Sequence, residues 1–119
     1  MDYTELEIWK KSRTLVSEIY QLTSSFPKEE IYGLTNQIRR AAVSVPSNIA
    51  EGNGRGTSKD SNHFNFIARG SIYELETQLF IAFDLGYISE DQLKSILDKI
   101  SECKKILQGF INYLNAKQV

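Results

Sequence analysis

Cysteine and histidine are nearly absent, with Cys103 and His63 the single example of each. One cysteine excludes an internal disulfide and any cysteine-rich metal site, and it fits a reducing compartment. One histidine leaves zinc sites and histidine-based triads without parts inside a single chain, so neither a metal nor a cofactor is expected. Prolines number only two, Pro27 and Pro46, and no strand-like alternation persists anywhere. Long apolar runs are missing too, and Met1 is followed by Asp2 and Glu5. Neither a membrane span nor a secretory leader is expected, which makes the cytoplasm the default location. No charge of one sign dominates: 14 Lys/Arg stand against 15 Asp/Glu, and the pI is near 5.8. That balance argues against a protein that coats nucleic acid indiscriminately.

The 119 residues, 41% of them hydrophobic and 24% charged, are enough for one domain, residues 1–119, with its own core. Breakers cluster at Ser24-Ser25-Phe26-Pro27, at Gly52-Asn53-Gly54-Arg55-Gly56-Thr57-Ser58 and at Gly86-Tyr87-Ile88-Ser89. Three breaks make four helices, over about residues 3–25, 28–51, 58–85 and 89–115. In the first, Ile8, Trp9, Ser12, Leu15, Val16, Ile19, Tyr20 and Phe26 share a broad apolar face. Pro27 with Glu29 and Glu30 reads as the start of the second, whose stripe is Ile31, Leu34, Ile38, Ala42, Val45 and Ile49 with Gly52 as C-cap. Pro46 lies inside it and should kink it or loosen its ladder. Ser58 reads as the cap of the third helix, and Ser89 with Gln92 as a capping box for the fourth. The fourth buries Leu93, Ile96, Leu97, Ile100, Leu107, Ile111 and Leu114, with Cys103 a small apolar member of the same face. Four long helices with short connections predict an all-α, antiparallel, up-down-up-down four-helix bundle.

The third helix has one face too many. Its core stripe reads Phe64, Ala68, Ser71, Leu75, Leu79, Ala82 and Gly86, yet Phe66, Tyr73 and Phe80 recur at seven-residue spacing on nearly the opposite side. A lone bundle cannot bury both, so the aromatic row is the expected oligomer interface; a core face that wraps round the helix is the alternative. Ile67, Glu74 and Ile81 form a further row, and a carboxylate held between two isoleucines calls for a cation. Arg39 and Arg40 are the candidate partners for an ion pair at a bundle or subunit interface. Glu74 and Glu76 point about 160° apart on the helix and so do not converge as a general acid and base.

Charge is unevenly spread. Residues 1–31 carry four Lys/Arg and six Asp/Glu, residues 32–70 five and two, and residues 71–119 five and seven, for nets of -2, +3 and -2. The basic centre permits an anionic partner, with Arg39, Arg40, Arg55 and Lys59 as candidate nucleic-acid contacts. The glycine-rich turn at 52–56 lacks the strand, glycine spacing and lysine of a phosphate loop, so an inter-helix turn is the better reading.

Leu6-Glu7-Ile8-Trp9-Lys10, Phe26-Pro27, the block from Tyr32-Gly-Leu-Thr-Asn-Gln-Ile-Arg-Arg-Ala-Ala to Val-Ser-Val-Pro-Ser-Asn-Ile-Ala-Glu-Gly52, Gly70-Ser-Ile-Tyr-Glu-Leu-Glu-Thr-Gln-Leu79 and Leu85-Gly86-Tyr87 together resemble a known family. It comprises the four-helix-bundle proteins first noticed as products of intervening sequences within 23S ribosomal RNA genes, sometimes labelled ribosomal-protein-like. The resemblance implies antiparallel bundles assembled as ring-shaped homopentamers, and no catalytic residue. A similar bundle serves as the accessory protein of diversity-generating retroelements, which implies contact with nucleic acid and a reverse transcriptase. Two expectations follow: a non-enzymatic, RNA- or ribonucleoprotein-associated oligomer that uses the basic residues, or a homo-oligomeric protein-interaction scaffold without nucleic acid.

Overall fold

The computed structural model describes residues 2–117. Four α-helices follow one another, α1 (Glu7–Thr23), α2 (Leu34–Asn53), α3 (Ser58–Asp84) and α4 (Glu90–Ala116), with 3-10 turns at Tyr3–Glu5 and Lys28–Glu30 and no strand among the described residues. They form a four-helix bundle about 48 × 24 × 20 Å, in which α2 packs on α1 and α3, and α4 on α1 and α3. The core takes Ile8, Leu15 and Ile19 from α1, Ile38, Val45 and Ile49 from α2, Ile72, Leu75 and Leu79 from α3, and Ile100, Leu107 and Ile111 from α4. Each set recurs three, four or seven residues apart, the spacing that puts side chains on one face of a helix.

The second helix starts later than Pro27. Pro27 opens only the 3-10 turn; the chain then bends through Ile31–Gly33, and α2 begins at Leu34. Glu30 still serves the positive end of the helix, because its Oε1 accepts from the Leu34 N–H (3.1 Å). That reach needs a bare backbone at Gly33, where an added Cβ would lie 2.6 Å from the carboxylate. Ile31, read as core, is therefore outside the helix and 50% exposed.

Gly52 is not a cap either. The helix runs on through Asn53, and Gly52 is buried against α3, where a Cβ would come within 2.8 Å of both the Ser61 carbonyl and the Phe64 Cβ. The glycine sets how closely α2 and α3 approach. Pro46 sits within α2, which continues on both sides of it. At the next helix the cap is Thr57, one residue before Ser58, its hydroxyl accepting from the Asp60 N–H (3.1 Å). The capping box of α4 forms as read: Ser89 Oγ accepts from Gln92 N–H (3.1 Å) and Gln92 Oε1 from Ser89 N–H (2.9 Å).

On α3 the buried arc is wider than the expected stripe. It takes in Ser61, Asn62, Asn65, Ile72 and Gln78, while Gly86 lies past the helix end and is exposed. Packing on two neighbours, α2 and α4, explains the width. The NH2 groups of the amides at its start are bonded: Asn62 Nδ2 donates to the Ile111 carbonyl and to Asn115 Oδ1, and Asn65 Nδ2 to Asn62 Oδ1, each at 3.0 Å, while Asn65 Oδ1 has no partner among the described residues. Tyr20, placed on the apolar face of α1, is exposed and lies under the Arg39 guanidinium, 4.5 Å from its ring centre.

Candidate functional site

The outer face of α3 is the most apolar exposed surface of any one helix. Phe66, Tyr73 and Phe80 are 44, 53 and 48% exposed, and Ile67 and Ile81 each 42%. Seven-residue spacing makes two nearly parallel rows of them. Between the rows lie Gly70, with open space around its Cβ position, and Thr77, whose hydroxyl bonds back to the Tyr73 carbonyl (3.0 Å). The face is thus two ridges with a shallow trough between them. Along the α4 side, cations cover part of the aromatic row: Arg69 stacks 5.0 Å from the Phe66 ring while bonding Gln108 Oε1 (3.0 Å), and Lys104 lies 5.1 Å from the Tyr73 ring while pairing with Glu76 (2.8 Å). Arg69 and Lys104 were not singled out from sequence, and Glu76 was weighed only as an acid–base partner of Glu74, since their roles depend on which residues of α4 lie opposite.

Glu74 lies in the isoleucine row, exposed and without an ion pair among the described residues. Within one chain the expected pair with Arg39 or Arg40 is not formed. Arg39 lies on the α1 side of α2, where its Nε donates to Thr23 Oγ1 (2.9 Å) and its second terminal nitrogen reaches the Tyr20 carbonyl at 3.5 Å. Arg40 lies on the outer side. The Ser44–Ser71 hydroxyl bond (2.9 Å) joins α2 to α3 one turn beyond Arg40, but no salt bridge links Arg40 to Glu74 among the described residues.

The other basic candidates do not join these two. Arg55 is held by Glu51 (3.0 Å) and stacks 4.9 Å from the Phe64 ring, and Lys59 is exposed without a partner among the described residues. Arg40 lies about 20 Å from the end of α2 at 1.5 Å per residue, and Arg55 lies beyond that end, in the turn before α3. The four cations therefore do not form one cluster.

No group of three or more potential metal ligands occurs among the described residues. Cys103, 3% exposed, has its thiol pushed up to about 11, first by burial and then by the Glu102 charge, so it is not a thiolate nucleophile. Glu30 is held below the ordinary carboxylate range by the Tyr87 hydroxyl, which donates to its Oε2 (2.7 Å), and then by the Leu34 N–H. That contact ties the α1–α2 turn to the α3–α4 turn, a structural link. No described helix is long and apolar enough to cross a membrane.

The molecule is thus an all-α four-helix bundle whose least satisfied feature is an exposed apolar helix face. The chain belongs to the 23S rRNA-intervening sequence protein family, whose pattern it matches over residues 4–109. Among solved structures it is similar to a protein of unknown function from the S23 ribosomal protein family of Bacteroides thetaiotaomicron. The TM-score is 0.77 at 24% identity, covering 87% of this chain and 97% of that one, which shows a shared fold. No curated protein matches the chain.

Proposed function

We propose that the protein is a non-enzymatic, homo-oligomeric assembly module whose copies join through the outer face of α3. The observation that carries this reading is the row Phe66, Tyr73 and Phe80, about half exposed, with Ile67 and Ile81 beside it. In this reading the helices run up-down-up-down and antiparallel, and the ring holds five copies, as the family resemblance implies. Glu74 faces Arg39 or Arg40 of the next copy, which would supply the counter-charge it lacks in its own chain. Nucleic-acid association is the second reading, favoured by Arg40 and Lys59, which are exposed and have no ion pair among the described residues.

Light scattering coupled to size exclusion tests the first reading, with a mass near five chains expected; a monomer at micromolar concentration would refute it. A salt titration of RNA binding tests the second. Phosphate contacts would give a steep salt dependence that Arg55→Glu with Lys59→Glu reduces. Absence of binding at low salt leaves the scaffold alone.

A further inference from the structure

At the end of the bundle where α1 turns into α2, a pocket of about 330 Å³ opens between Thr23, Phe26, Lys28, Ile31, Thr35 and Arg39. Arg39 is fixed there by Thr23, the Tyr20 carbonyl and the Tyr20 ring, yet it has no carboxylate partner among the described residues, and its first terminal nitrogen makes no hydrogen bond. Lys28, also unpaired, adds a second positive charge. Thr35 is 3% exposed, and its hydroxyl, sealed from solvent, has no hydrogen-bond partner. Such a hydroxyl is a standing penalty to the fold unless something bonds it. Thr35 also lies in the first turn of α2, the positive end of the helix dipole. The neighbouring carboxylate of Glu30 is turned away, onto Tyr87 and the Leu34 N–H. Phe26, Pro27 and Ile31 give the pocket an apolar wall, and Ser24 at its edge has its hydroxyl donated to the Gln21 carbonyl.

A guanidinium held flat by a ring, an unpaired hydroxyl and an apolar wall together match one chemistry. We propose that this pocket binds a carboxylate on a short apolar stem, its oxygens on Arg39 and on the Thr35 hydroxyl, which turns out of its sealed position about the Cα–Cβ bond to meet them, and its stem against Phe26 and Ile31. Two sources can supply that group. One is a free monocarboxylate; the other is Glu74 of a second copy, which stands between Ile67 and Ile81 without a partner of its own.

The test uses n-butyrate, with n-butanol and n-butylammonium as controls, titrated into the full chain while the side-chain Nε–H resonance of Arg39 is followed. Saturable binding of butyrate alone is expected, with a dissociation constant on the order of millimolar for so small a ligand. Thr35→Val should weaken it about tenfold while the melting temperature stays level or rises, because the unpaired hydroxyl is gone. Arg39→Gln should abolish it. If a second copy's Glu74 fills the pocket, Glu74→Gln should bind butyrate about tenfold more tightly than wild type; equal binding by the two assigns the pocket to a free acid. No saturable response in either background up to roughly ten times the expected constant, or binding unchanged by Thr35→Val, overturns the proposal. A monomeric wild type that still binds butyrate would remove the assembly reading and leave the pocket standing.

Discussion

Replacing Tyr73 with alanine should dissociate the assembly without unfolding the bundle. In one chain about half of Tyr73 remains in contact with water (53% exposed). An aromatic side chain offers roughly 150–250 Å² to burial, so docking can cover about another 100 Å². At about 25 cal/mol per Å² this contributes about 2.5 kcal/mol, and with alanine retaining a small part the loss is about 2 kcal/mol per joint. That is about thirtyfold in the dissociation constant of the joint. The substitution removes no buried core side chain, and alanine's better helix propensity offsets part of the lost contact with Lys104, so urea unfolding of the dissociated chain should show a loss of no more than about 1 kcal/mol. Light scattering across a dilution series reads the effect: the mass of Tyr73→Ala should fall at about thirtyfold higher concentration than wild type. Coincident dilution curves would remove Tyr73 from the interface, and an unfolded variant would place it in the core.

Gly52→Ala should destabilise the bundle by about 1–3 kcal/mol in urea despite its better helix propensity, because the new methyl meets the Ser61 carbonyl and Phe64 Cβ at 2.8 Å. Cys103, with its thiol near 11 and 3% exposed, should react with a disulfide reagent at pH 8 only as fast as the chain opens, so the rate should rise sharply in urea near the unfolding midpoint. The Glu30–Tyr87 contact has a pH window. Glu30 lies below its ordinary 4.5, so its contribution is present above that value and lost as pH falls through the folded one; Tyr87 lies above its ordinary 10.0, so its contribution is lost as pH rises through its folded value. The melting temperature difference between wild type and Tyr87→Phe should therefore be widest between those limits and narrow outside them.

Periodicity made the four helices and most of their core faces legible, because burial on one side of a rod leaves a regular trace in the sequence. The later start of α2 was hidden, since proline followed by acids suits a 3-10 turn as well as a helix start. The bond from the Leu34 N–H to the Glu30 carboxylate at the start of α2 depends on the absence of a side chain at Gly33. Gly52 misled for a related reason: a glycine near a helix end looks the same whether it caps the helix or admits a neighbouring one. The aromatic row of α3 could be read from spacing alone and is exposed as expected. The Arg39 pocket could not, because its cation, hydroxyl and apolar wall come from the end of α1, the turn and α2, and an unpaired hydroxyl has no signature in sequence.

The basic centre of the chain illustrates why a charge count does not locate a binding site. Residues 32–70 carry five cations, but Arg39 is drawn into the pocket beside Thr23 and the Tyr20 ring, Arg55 is committed to Glu51 and Arg69 to Gln108 and Phe66. Arg40 and Lys59 remain without partners among the described residues, one partway along α2 and the other at the start of α3. Two separated cations on one chain release too few counterions to hold a nucleic acid at moderate salt. Repeated around a ring, the same two could act together, since binding at linked sites multiplies. Any RNA affinity would then belong to the assembly and disappear with it. Tyr73→Ala leaves every cation in place, so at concentrations where it is dissociated and wild type is not, it separates the two readings. RNA binding retained by the dissociated chain would place the site within one bundle and make the outer face of α3 irrelevant to it.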